Sequence, residues 1–135
     1  MPQNATPAPR IDEESAFFWE GLRARRLLLQ RCSTCGEVRF PAMPACPACA
    51  AIGSEVIEAG GGGRLYSWVT VHHAFDEAWK HDVPYTVGVV ELDEGARVLA
   101  RIEPPQPLRA DAALLAFYVD HGTWSELRFR PEQAG

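Results

Sequence analysis

Lysine is almost missing from this sequence: Lys80 stands alone against twelve arginines, and acidic residues outnumber basic ones 18 to 13 for a net charge of −5. Proteins that bind nucleic acid usually carry a basic excess, because phosphate neutralisation supplies most of their affinity, so the balance leans against that class. Long apolar runs are missing too. The longest has eight residues, Ala112 to Val119, too few for a membrane-spanning helix. The first 16 residues lack the basic start and apolar core of a secretory leader, so the cytoplasm is the expected compartment. There is no G-x-S-x-G elbow around Ser67, and the run Gly60 to Gly63 is not a dinucleotide fingerprint. No catalytic set replaces them. His72 and His73 are neighbours on an expected strand and would point to opposite faces; His81 and His121 are isolated; Glu91, Asp93 and Glu94 surround a turn as a solvated edge.

What is present is a chain of 135 residues, 47% hydrophobic and 23% charged, sized for one compact domain or a small module attached to one. Residues 1–10 hold three prolines and read as a disordered lead-in. A helix is expected over 11–29, with Asp12, Glu13 and Glu14 toward its start and arginines toward its end, as the macrodipole favours. Phe18 and Leu22 share a face that Phe17 and Trp19 widen, so this helix must dock, on its own domain or on a partner. Leu27 to Arg31 reads as a short strand. After the glycine run the pattern is one of strands: 64–73, alternating with Leu65, Ser67, Val69 and Val71 on one face; 85–92 and 96–103 around the turn Asp93-Glu94-Gly95; and 114–120 and 125–130 around His121-Gly122-Thr123. Short strands at this spacing indicate a small antiparallel barrel or sandwich.

All four cysteines lie between residues 32 and 49, as Cys32-Ser-Thr-Cys35 and Cys46-Pro-Ala-Cys49 with ten residues between the pairs. A C-x2-C turn sets two thiolates on one side of a tight knuckle, and two facing knuckles supply four soft ligands for a tetrahedral Zn²⁺. Four thiolates leave no open position for water, so the expected metal is structural; iron in a rubredoxin-like site is the alternative.

Phe17-Phe18-Trp19-Glu20, Leu27-Leu28-Leu29-Gln30-Arg31-Cys32, Cys35-Gly36, Phe40-Pro41 and Cys46-Pro47-x-Cys49 resemble the zinc-ribbon/OB-fold proteins associated with acyl-CoA metabolism. The match continues through Gly63-Arg64-Leu65-Tyr66-Ser67-Trp68, Pro84-Tyr85, Val90-Glu91-Leu92-Asp93-Glu94-Gly95 and Phe129-Arg130-Pro131. The resemblance implies a mainly β protein: an N-terminal helix, a rubredoxin-like zinc ribbon over 30–59 and a C-terminal OB-fold barrel over 60–131. It implies a non-catalytic subunit that binds a thiolase-like enzyme acting on acyl-CoA thioesters, such as a thiolase, an acyltransferase or a steroid side-chain aldolase. It departs from the family pattern at Ala50, after the second knuckle, and at Arg109-Ala110-Asp111, where glycine is usual in both places.

Two surfaces are candidates for contact. The long connection His73 to Tyr85 carries Phe75, Trp79 and Tyr85, and with the helix aromatics Phe17, Phe18 and Trp19 it is the expected partner surface. Arg31 and Arg39 flank the ribbon and could pair with the phosphates of CoA, or could balance the charge of the metal–thiolate centre. The competing reading is a single-stranded nucleic-acid module, since ribbons and OB-folds both serve that role; the acidic second half counts against it.

Overall fold

A computed structural model describes residues 6–104 and 107–132. Of the expected lead-in, residues 1–5 lie outside the described residues, and 6–10 carry neither helix nor strand. Asp12 and Ser15 then bond reciprocally, Ser15 N–H donating to Asp12 Oδ1 at 2.9 Å and Asp12 N–H to Ser15 Oγ at 3.3 Å. From this turn starts helix α1, Ala16–Arg23.

The helix is shorter than the 11–29 span expected, and the cause is local. Arg25 takes φ +62°, Arg25 N–H bonds the Leu22 carbonyl at 3.0 Å, and Arg26 N–H closes on the Gly21 carbonyl at 2.8 Å. This is the six-to-one closure that ends a helix on a left-handed residue. The three acidic residues precede the first turn and do not lie within it. Leu27 emerges extended, so Leu27–Cys32 is strand β1.

Strand β1 lies between β2 (Val38–Arg39) and β3 (Ser54–Ala59) in a three-stranded antiparallel sheet. The second cysteine pair is on the connection between β2 and β3, in a turn with no flanking hairpin. Five further strands close into a barrel: β4 (Gly62–Val71), β5 (Tyr85–Leu92), β6 (Arg97–Ile102), β7 (Ala113–Asp120) and β8 (Ser125–Pro131). Their order, β4-β5-β6-β8-β7, is that of an OB-fold, with β6 and β8 parallel at Arg101↔Arg128 and Ile102↔Phe129. The β5–β6 turn has Gly95 at φ +103°, as its sequence required.

One strand departs from its expected pattern. The β4–β5 register steps from Leu65↔Val90 to Ser67↔Val89, so β4 carries one extra residue at that point. A bulge shifts every later side chain to the other face. Leu65 is buried, but beyond the bulge Trp68 and Thr70 turn inward while Ser67 and Val69 face solvent. The expected common face of Leu65, Ser67 and Val69 is therefore broken. A single core joins the elements: Phe18 and Leu22 from α1, Leu27 and Leu29 from β1, and Leu65, Ile102 and Phe129 from the barrel. The helix thus docks on its own domain, bridging ribbon and barrel.

Candidate metal centre and partner surfaces

Cys32 ends β1 and Cys35 follows one turn later. The backbone folds back as Gly36 N–H donates to the Cys32 carbonyl at 3.0 Å, with Gly36 at φ +81°. The second knuckle repeats this geometry without a glycine: Ala50 N–H donates to the Cys46 carbonyl at 2.8 Å, and Ala50 takes φ +66°. Backbone amides point at sulfur in both. Thr34 N–H lies 3.4 Å and Cys35 N–H 3.5 Å from Cys32 Sγ, and Ala48 N–H lies 3.4 Å from Cys46 Sγ.

The four sulfurs all lie within 4.8 Å of one another, with Cys32–Cys49 and Cys35–Cys46 each at 3.6 Å. Tetrahedral ligands about 2.3 Å from a zinc ion would be separated by about 3.8 Å, so this set is already arranged for one ion. Protonation behaviour agrees. N–H groups of Cys35 and Thr34 draw the Cys32 thiol down to about 6, and the Cys49 amide draws Cys46 down despite burial. A Glu37 N–H also favours the Cys35 thiolate, but the neighbouring sulfurs push Cys35 up to about 12. Without a cation the fourfold thiolate opposes itself, and a dication relieves the repulsion. The donor set is soft and fourfold, as a zinc-ribbon site requires. When bound, zinc would be held by Cys32, Cys35, Cys46 and Cys49 and would supply folding free energy.

The two arginines beside this centre differ. Arg31 is exposed and ion-paired to Glu55 across β1–β3. Arg39 is only 4% exposed; its Nε donates to Gln30 Oε1 and one terminal nitrogen to the Met43 carbonyl, each at 3.0 Å. Gln30 Oε1 also accepts from Met43 N–H at 3.0 Å, so Gln30 and Arg39 together hold the loop leading to the second knuckle. The sequence reading missed Gln30. Its signal was a polar residue at a half-buried position within the apolar run of β1. Arg39 also lines a groove of about 470 Å³ between ribbon and barrel, with Phe40, Met43, Pro47, Glu91 and Arg97.

The aromatic residues divide into two groups. Phe18 is 7% exposed, with Trp19 and Phe40 each at 5.1 Å between ring centroids, and Trp19 meets Trp124 at 6.0 Å. Phe17 and Trp19 pack partly buried against the same core. The loop aromatics lie elsewhere, between β4 and β5. Phe75 is 96% exposed, Trp79 meets Tyr85 at 6.0 Å, and Arg101 stacks over Tyr85 at 4.8 Å. His72 and His73 fall beyond the end of β4, and His73 contacts Phe75 edge to face. Among the described residues no helix is long and apolar enough to cross a membrane.

Comparison with known proteins agrees with this geometry. The family model for the rubredoxin-like zinc ribbon domain of ChsH2 matches residues 19–51, and that for the ChsH2 C-terminal OB-fold domain matches residues 56–115. Relatives include the 3-oxo-4,17-pregnadiene-20-carboxyl-CoA hydratase alpha subunit of Mycobacterium tuberculosis, 31% identical over 96% of this chain and 42% of that protein. A probable enoyl-CoA hydratase alpha subunit of Thermomonospora curvata is 38% identical over 75% of this chain and 31% of that one, so the chain spans well under half of either relative. A DUF35 domain-containing scaffold protein of Methanothermobacter thermautotrophicus is 36% identical, with 70% of this chain and 71% of that protein covered. Among solved structures, the chain superposes on one from an Ltp2-ChsH2(DUF35) aldolase with TM-score 0.81 and 31% identity, covering 92% of this chain and 98% of that one. Two knuckles, a closed five-stranded barrel and these matches lead to one conclusion: the chain belongs to the ChsH2/DUF35 family of zinc-ribbon and OB-fold proteins.

Proposed function

We propose that this protein is a non-catalytic scaffold subunit that binds a thiolase-like enzyme acting on acyl-CoA thioesters. The observation that carries the proposal is the match, over 92% of this protein, to a chain from an Ltp2-ChsH2(DUF35) aldolase. The metal set supports it from the chemical side, because four thiolates fill a zinc coordination sphere and leave no site for substrate or water. The name scaffold protein carried by the relative from Methanothermobacter thermautotrophicus points the same way. The chemistry of the complex then resides in the partner, and this chain supplies a rigid surface.

Within that reading, partner contact is assigned to the loop between β4 and β5, which carries Phe75 and Trp79, together with Tyr85 at the start of β5. Phe17, Phe18 and Trp19 help indirectly, by fastening α1 to the core. Of the two arginines considered for CoA, Arg31 is the better placed: its pairing with Glu55 is exposed and so weakly held, whereas Arg39 is buried and bonded. The test is affinity purification of the tagged chain from its native host. A stoichiometric thiolase-like protein is the expected companion, and a companion of another enzyme class would overturn the assignment.

A further inference from the structure

The outer face of the barrel sheet β4-β5-β6 has the wrong polarity for water. On β5 the inward positions are Thr86, Gly88, Val90 and Leu92, while the half-buried Val87 and Val89 face outward. Register places Val89 between Ser67 and Leu99, and Val87 between Val69 and Arg101. The bulge in β4 sends Val69 outward and leaves Tyr66 on the same surface. Tyr66, Val69 and Leu99 are 56%, 63% and 66% exposed. A solvated face of an antiparallel sheet ordinarily alternates to polar residues, so a contiguous apolar strip of this kind marks a contact surface.

The charges at its rim say what covers it. At one end Arg97 pairs with Glu91 at 3.1 Å and lies over Tyr66 at 3.9 Å. At the other, Arg101 pairs with Asp82 at 3.0 Å and with Glu103 at 3.3 Å. Arg97 and Arg101 are thus neutralised within the chain, and a phosphate backbone would have to compete with those carboxylates. The complement is an uncharged, apolar protein surface. Its size matters as well. Three strands about 4.8 Å apart and about 20 Å long offer roughly 300 Å², far below the roughly 800 Å² per partner of a stable pair. Two copies meeting face to face on this strip would fall short. A larger partner could cover it together with the adjoining loop and its exposed Phe75.

We infer that the outer face of β4-β5-β6, centred on Val69, Val87, Val89 and Leu99, is the principal docking surface for the partner enzyme, which meets it with a neutral apolar patch. This rests on the scaffold reading and adds the location and chemistry of its interface.

The experiment uses the full zinc-loaded chain and the companion enzyme, identified by mass spectrometry after purification from the native host and then reconstituted as a purified pair. The double variant Val69→Glu, Leu99→Glu places acids at positions already exposed and should keep wild-type zinc content and thermal unfolding. Its affinity for the companion should fall at least 100-fold. Ile52→Glu, on the ribbon and 78% exposed, should change affinity less than twofold. Wild-type affinity in the double variant overturns the docking face and leaves the scaffold reading intact. If the native host yields no companion enzyme, the scaffold reading fails and the inference with it. If instead the chain alone sediments as a dimer that the double variant dissociates, the occupant is a second copy and the inference is wrong.

Discussion

Ala50 sits where a glycine would be at ease. Its φ of +66° matches the +81° of Gly36 in the first knuckle, but a Cβ in this region meets the following carbonyl. Ala50→Gly should therefore raise stability by about 0.5–1 kcal/mol, visible as a melting point a few degrees higher in the zinc-loaded protein. Asp111, the other departure from the family pattern, is also left-handed at φ +68°, and its short polar side chain tolerates that region better than alanine does. Both places where the resemblance leads one to expect glycine thus hold a left-handed residue. The cysteines permit a sharper test. Cys46→Ser, or chelation of the wild type, removes binding free energy that is on the order of 10–16 kcal/mol in comparable zinc peptides. The expected result is loss of stoichiometric zinc and rapid amide exchange over 30–58, with protection retained in β5 and β8. Retained protection across both knuckles in the metal-free form would show that the ribbon holds without its ion.

The helix, taken as an element, is held by its own chain. Phe18 is buried between Trp19 and Phe40 in the shared core, so Phe18→Ala should destabilise the isolated protein by about 3–5 kcal/mol in denaturant titration. A loss below about 1 kcal/mol would mean that the aromatic face awaits a partner after all. The hairpin of β7 and β8 gives a pH test. Burial pushes the Glu126 carboxyl up, but hydrogen bonds from Arg128 at 2.9 Å and with His121 at 2.8 Å outweigh it and hold it below the usual range. A carboxylate lowered in the folded state contributes stability above its unfolded value near 4.5, and that stability is lost as pH falls through the lower folded value. Glu126→Gln should accordingly flatten the decline in stability below about pH 4.5; an unchanged acid limb would assign the decline to other groups. These two elements also show what was readable beforehand. The strand pairs around Gly95 and Gly122 were legible because turn residues and two-residue alternation are local. The end of α1 and the β4 bulge were not, because Arg25 and Tyr66 carry no signature of a left-handed residue or an extra one. Their conformations follow from the sheet that must form next to them.

At the scale of the whole molecule, the two halves are held together by different means. The ribbon has four cysteines placed to hold one metal ion, the barrel is a closed sheet, and α1 joins one to the other through a common core. Rigidity of that kind reduces the ordering cost of association, which is what a docking subunit needs and what a substrate-closing enzyme does not. The isolated chain should hydrolyse no acyl-CoA thioester above background, and measurable turnover that co-purifies with it through successive columns would contradict the scaffold reading. The loop between β4 and β5, proposed above as a contact, is held in place. Asp82 is tied to Arg101, Arg101 covers Tyr85, and Tyr85 supports Trp79, so the loop is fixed to the barrel beside the apolar strip. A half-buried tryptophan held in this way resembles the anchors that dominate protein interfaces. Trp79→Ala should weaken the purified complex by about 30-fold or more, a loss of about 2 kcal/mol, while zinc content stays at one per chain. Tyr85→Phe keeps the stack under Arg101 and should bind as the wild type does. If Trp79→Ala binds equally well, the loop lies outside the interface.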